Sequence, residues 1–144
     1  MLGPGGVVTL AGRRVIENVP GAHDGQFVSD RFWMIASHTI EIRSYSPTAL
    51  FPYEPIRPAI SGMPRGLHVA PDALYVGVNR VSLNRTLAHV YEPIARERGC
   101  RPTRDSYVAR LETSQWSVVG RYELPRYQNV SPEVYAIIER RLVG

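Results

Sequence analysis

Four closely spaced arginines are the residues of this chain whose type and spacing best suit chemistry. Arg96, Arg98, Arg101 and Arg104 fall within nine positions, with Tyr107 shortly after them. Guanidinium groups pair well with phosphates, and binding of that kind weakens steeply as salt rises. The cluster predicts a possible anion or nucleic-acid contact. The competing interpretation, which the acidic residues interspersed in this stretch favour, is a solvated helix end and turn.

A second set of residues could serve an NAD-cleaving enzyme of the ADP-ribosyltransferase type. Such an enzyme needs an arginine on an early strand, a loop that clamps nicotinamide and a late acidic residue that stabilises an oxocarbenium-like transition state. Arg43, the loop 62–71 and one of Glu92, Glu112 or Glu133 could take these roles. The Ser-Thr-Ser strand and the Glu-x-Glu pair of these enzymes are absent. Catalysis therefore stays an alternative, with no catalytic residue assigned.

Metal and cofactor motifs are missing from the sequence. Cys100 is the single cysteine, which excludes an intrachain disulfide and a site built on several thiolates. The four histidines are far apart and form no metal-binding spacing, and the glycine-rich start carries no phosphate-loop motif. We expect no metal and no cofactor. The histidines are His23, His38, His68 and His89.

Length and composition indicate one ordinary globular domain. The chain has 144 residues, 44% of them hydrophobic and 21% charged. No apolar run approaches the roughly 20 residues of a membrane helix, and the N-terminus lacks a secretion signal. We expect a cytoplasmic protein or one held within an assembled particle. The formal net charge is +4, and the positive charges are all arginines, since lysine is absent.

The elements that must position any site are organised around residues 73–99. A short apolar run at 74–78 predicts a buried strand, and the periodicity that follows predicts the longest helix. Ser82 suits the N-cap and Gly99 the left-handed C-terminal position. Pro93 lacks an N–H and predicts a kink or a split in the helix.

The remaining pattern predicts an α+β fold. Alternating residues in 106–112 and 116–124 predict an antiparallel hairpin, and 31–45 predicts strand, whereas 20–26 reads as loop. A serine and proline at 131–132 predict the start of a second helix. The fold class is a mostly antiparallel or mixed sheet of about seven strands with two helices packed on it.

A proline-rich segment at 46–71, either a long ordered loop packed on the domain or an arm that packs on a neighbour, is the predicted interaction element of this single domain. It contains six prolines, which disfavour helix, yet it is too apolar for a disordered linker. We therefore expect a non-enzymatic assembly subunit that self-associates or docks in a larger complex, for example a small virion head, neck or tail component. The expected contact residues are Leu50, Phe51, Tyr53, Ile56, Ile60 and Met63.

Overall fold

The computed structural model describes residues 4–8, 14–46, 55–80, 85–100, 103, 105–126, 133, 134, 136 and 137. These residues form nine strands, all paired antiparallel, in three sheets. A two-stranded ribbon contains β1 (Pro4–Val8) and β2 (Arg14–Pro20). A three-stranded sheet contains β3 (Ala22–Val28), β4 (Arg31–Ala36) and β5 (Glu41–Tyr45). A four-stranded sheet contains β6 (Met63–Val69), β7 (Ala73–Asn79), β8 (Tyr107–Glu112) and β9 (Val118–Glu123).

The predicted α+β class is wrong, because the fold is mostly β. The described residues include one α-helix, α1 (Arg85–Glu97), and a single 3₁₀ turn at Ser37–Thr39. The strands divide among separate antiparallel sheets and do not form the one sheet that we expected. The second predicted helix falls on residues that are mostly outside those described, and the described ones, 133, 134, 136 and 137, are not helical. Strand pairing, and not helix packing on one sheet, organises the molecule.

The organising element at 73–99 is confirmed as strand followed by helix. β7 is the central strand through which β6 and β8 connect, and five of its seven side chains are apolar and suit a strand with both neighbours occupied. α1 continues through Pro93 to Glu97, so the expected split does not occur. Gly99, at φ +69°, ends the helix as predicted: its N–H donates to Arg96, and the next N–H, of Cys100, donates to Ala95.

The main core lies between the three-stranded sheet, the four-stranded sheet and α1. It joins Ile35 and Ile42 of the first sheet to Leu67 and Val76 of the second. The helix contributes Tyr91, which is 1% exposed and is among the largest fully buried side chains. A smaller apolar cluster beneath β2 is centred on residues 16, 19, 34, 36 and 45.

Side chains of β3 join the edges of the two larger sheets. Asp24 accepts a hydrogen bond from the N–H of Leu67 at 2.7 Å. Gln26 donates to the carbonyl of Leu67 at 2.9 Å and accepts from the N–H of Val69 at 3.0 Å. These contacts satisfy β6 backbone groups at the edge of its sheet. The prediction of a loop at 20–26 is therefore wrong, because this stretch enters β3 and forms the seam between the sheets.

The C-terminal segment packs on the four-stranded sheet at Val134. Val134 is 7% exposed and lies over Gly66 and Gly77, where a Cβ on either glycine would press against its side chain. The side chain of Asn79 forms hydrogen bonds with both backbone groups of Val134. The two glycines thus provide the space that the valine occupies.

No α-helix in the described part of the chain has the length and apolar character needed to cross a membrane.

Candidate functional site

Of the predicted loop or arm at 46–71, the described part packs on the chain's own body. Ile56 pairs with Ile42 through two backbone hydrogen bonds of 2.9 Å, and Met63 begins β6. Ile56 and Ile60 are 8% and 1% exposed, so both are buried in the chain's own core. They are not available to a partner. Leu50, Phe51 and Tyr53 lie outside the described residues.

The four arginines of the predicted anion site have different surroundings. Arg96 is exposed and pairs with Glu92 one helical turn earlier, at 3.6 Å. Arg98 is half-buried and donates to the carbonyls of Thr39, at 2.9 Å, and Ile40. Burial lowers the pKa of Arg98, and neighbouring Arg57 adds to that effect. Arg101 and Arg104 lie outside the described residues.

Arg98 has a structural task that its sequence position did not reveal. Ile40 has φ +51°, a left-handed conformation that is rare for a β-branched residue. It connects the 3₁₀ turn to β5, and the guanidinium of Arg98 holds the carbonyls on both sides of this position. The end of α1 is therefore fastened to the three-stranded sheet by this arginine.

The residues of the enzyme alternative are engaged in structural contacts. Arg43 donates to Glu41 at 2.7 Å, and the Nε of Arg57 donates to the same carboxylate at 3.0 Å. Glu112 is bonded to Ser117 across the turn between β8 and β9. Burial raises the pKa of the Cys100 thiol despite the nearby Arg98, which argues against a reactive thiolate. Among the described residues, no three acidic, histidine or cysteine side chains group in a way that could hold a metal ion.

The candidate functional site is the β9 edge, meaning the side of Val118–Glu123 that points away from β8. β9 is the last strand of its sheet among the described elements. The N–H of Leu124 donates to Ser106, on the β8 side. Backbone N–H and C=O groups alternate in direction along an antiparallel strand. Those of Tyr122 therefore also point toward β8, and those of Arg121 and Glu123 point away from it. The outward backbone groups offer a strand-pairing edge.

The side chains beside the β9 edge form an ordered charged pair. Arg121 and Glu123 form an ion pair on one face of the strand, with side chains that are 44% and 55% exposed. The guanidinium of Arg121 lies 3.8 Å from the ring centroid of buried Tyr107 and donates to Thr103 at 3.2 Å. These contacts hold Arg121 in a defined position, which lowers the entropy lost when it meets a partner.

Large apolar side chains flank the same edge. Val119 is 50% exposed and Tyr122 is 54% exposed. The Tyr122 ring leans over Gly120, so it lies flat along the outer face of the sheet. An exposed tyrosine and valine on a strand whose second edge pairs with no other described strand are features of a pairing surface, although the charged residues also limit unspecific pairing.

Sequence reasoning predicted the hairpin that contains this site but did not identify its edge. The alternation in 116–124 gave the strand, and the opposite charges two positions apart at 121 and 123 were visible. The missing information was the strand order, which shows that β9 pairs on one side only among the described strands.

No protein-family model, curated protein or solved structure matches this chain.

Proposed function

We propose that this protein is a non-enzymatic assembly subunit that self-associates by pairing the β9 edge of one copy with the β9 edge of another. The observation that carries the proposal is the ion pair of Arg121 and Glu123, two residues placed symmetrically about Tyr122 whose backbone groups point away from β8. Like strands that pair antiparallel about a two-fold axis form an isologous interface, the commonest type in homo-oligomers.

Among two-fold axes at residues 121, 122 and 123, charge favours the axis at Tyr122. Outward residues must face outward residues, so the two-fold axis passes through a residue of the strand itself. An axis at Arg121 would oppose two arginines, and an axis at Glu123 would oppose two glutamates. An axis at Tyr122 places Arg121 of each copy opposite Glu123 of the other. Like charges directly opposed destabilise a sheet, and opposite charges stabilise it by about 0.2–1 kcal/mol a pair.

The axis at Tyr122 also suits the aromatic side chain. Outward residues on both sides would form the hydrogen-bonded pairs, so the two Tyr122 residues would meet as a non-hydrogen-bonded pair, in which side chains are closest. A contact between aromatic rings adds about 0.5–1.5 kcal/mol beyond the area that it buries. Pro125, two positions beyond Glu123, has no N–H and would end the ladder.

Charge exchange tests the register directly. Sedimentation velocity over a range of concentrations would measure the dimer. We expect Arg121→Glu and Glu123→Arg each to weaken dimerisation, because each places like charges opposite one another. The double variant, with both charges exchanged, should recover it, because every cross-strand pair becomes attractive again.

The control for charge reversal is Arg96→Glu, in the exposed helical pair with Glu92. It should leave the dimer unchanged, and circular dichroism should show all variants folded. A monomer at every concentration would overturn the proposed function. Dimerisation that the double variant fails to recover would overturn the register.

A further inference from the structure

A groove separate from the β9 edge lies between the three-stranded sheet and the turn that connects β8 to β9. Its volume is about 520 Å³, within the range of small-molecule sites. Its surface includes two tryptophans, Trp33 and Trp116, and two arginines, Arg31 and Arg57, together with Ser44 and Gln115. Both tryptophans of the chain are therefore in this groove.

The two indoles form one aromatic surface. Trp33 is on β4, and Trp116 is in the turn; their ring centroids are 6.1 Å apart with an interplanar angle of 62°. Rings in this edge-to-face contact leave no slot between them. A flat ligand would instead stack on the exposed face of one ring, the arrangement by which proteins hold nucleobases.

Trp116 has a strained backbone at this position. Its φ is +57°, which is a genuine outlier for a bulky side chain. The turn around it is closed by the N–H of Glu112, which donates to the carbonyl of Ser117, and by the bond between their side chains. Strain of this kind persists where the surroundings enforce it, and it is concentrated at binding sites. Here the turn that enforces the strained conformation places the Trp116 indole against Trp33.

The described residues that line the groove include two arginines and no acidic residue. Arg31 is held by Ser44, to which its Nη2 donates at 2.8 Å. Arg57 pairs with Glu41 through Nε, and its side chain remains 63% exposed. Since Glu41 is shared with Arg43, this single carboxylate serves two guanidinium groups. The excess favours an anion, and planar guanidinium groups suit phosphate in particular.

We propose that this groove binds a nucleoside phosphate, with the base stacked on the indole surface and the phosphate paired with Arg57 at the mouth. A neutral sugar could stack on the indoles but would gain nothing from the arginines. Inorganic phosphate would use the arginines but not the indoles. A nucleotide uses both, and Gln115 and Ser44 offer hydrogen bonds to its polar edges. A free nucleotide and a nucleotide within a single strand offer the same base and phosphate to this groove.

Intrinsic fluorescence is a direct probe, because both tryptophans lie in the groove. The full chain would be titrated with adenosine monophosphate, adenosine, inorganic phosphate, a single-stranded oligonucleotide and its duplex. We expect quenching by adenosine monophosphate, with adenosine and phosphate each binding at least about tenfold more weakly, since each lacks one of the two contacts. Tighter binding of the single strand than of the monophosphate or the duplex would identify a strand as the source.

Variants separate this site from general attraction of anions to a basic protein. Arg57→Met should weaken nucleotide binding at least about tenfold by removing a charge-assisted phosphate contact. Arg96→Met removes an exposed guanidinium group from α1, away from the groove, and should leave nucleotide binding unchanged. Trp116→Ala should reduce the affinity for adenosine and for adenosine monophosphate alike. Because this variant loses one of the two fluorophores, its binding would be measured by calorimetry. Circular dichroism would confirm that each variant is folded.

The proposal is overturned if neither the monophosphate nor the single strand binds, or if phosphate alone binds as tightly as the monophosphate. Equal losses in Arg57→Met and Arg96→Met would also overturn it. Dimerisation plays no part in this test, so its outcome is independent of the β9 edge.

Discussion

Asn79 pairs with Val134 in the way that one strand pairs with another, but through its side chain. Its Oδ1 accepts from the N–H of Val134 at 2.6 Å, and its Nδ2 donates to the carbonyl of Val134 at 3.1 Å. Asn79 is 1% exposed and Val134 is 7% exposed. One buried amide therefore satisfies both polar groups of a buried residue 55 positions away, and it attaches the C-terminal segment to the end of β7.

Asn79→Ala should lower the free energy of unfolding by about 1–3 kcal/mol, because it leaves the N–H and carbonyl of Val134 buried without partners. Chemical denaturation would measure the change. Asn79→Asp is the matched variant, since it keeps the acceptor and loses the donor. A stability equal to that of the natural sequence in Asn79→Ala would contradict the proposed attachment.

Gly77→Ala should also destabilise the fold, by about 1–3 kcal/mol, because the new methyl group would overlap the side chain of Val134. Gly120→Ala in β9 is the matched control: there the nearest atom to the new Cβ would be 3.5 Å away, an ordinary contact. Thermal melts of the two variants would compare them. Equal midpoints would contradict the close packing over Gly77.

Glu41 should make the free energy of unfolding depend on pH in the acid range. Burial raises the pKa of its carboxyl, but hydrogen bonds from Arg43, Arg57 and Thr39 outweigh burial and lower it below the usual 4.5. The unfolded chain then binds the proton first as the pH falls. The stability that Glu41 contributes is complete above its unfolded pKa and is lost as the pH falls through the lower native pKa.

Glu41→Gln should therefore be less stable near neutral pH and should lose less stability below pH 4.5. Denaturation curves at several pH values would measure the slope. Glu92→Gln, in an exposed ion pair on α1, is the control and should leave the slope as it is. An unchanged acid slope in Glu41→Gln would rule out this role of the carboxylate.

A disulfide can test the axis of the proposed dimer. In a Cys100→Ala background, Tyr122→Cys should form a linked dimer on mild oxidation, because a non-hydrogen-bonded pair brings Cα atoms to about 4.5 Å, within disulfide range. Val119→Cys, equally exposed but three positions from the axis, should not be linked. Non-reducing electrophoresis would measure both. Equal linkage of the two variants would exclude this axis.

The predictable parts of the fold were those determined by local pattern. The apolar run of β7, the alternation of β8 and the glycine after α1 each have a short-range cause, and the structure confirms them. The prolines at 46–71 gave no sign of β6, yet Pro64 is compatible with this strand: β6 pairs with β7 on one side, and its other edge forms hydrogen bonds with β3 side chains.

Neither candidate site could be predicted, because each depends on how distant strands are arranged. The outward direction of the Arg121 backbone follows from strand order, and the contact of Trp33 with Trp116 joins the three-stranded sheet to the turn between β8 and β9. Sequence pattern gives the face of each residue along its own strand. It does not give the neighbour of that strand.

The seam between the two larger sheets has a consequence for amide hydrogen exchange. The N–H groups of Leu67 and Val69 are protected by side chains, those of Asp24 and Gln26, and not by a neighbouring strand's backbone. A side chain can rotate away without unfolding either sheet. These two amides should therefore exchange through small local openings, faster than the amides that pair β7 with β8. In kinetic terms, the seam should open before either sheet unfolds.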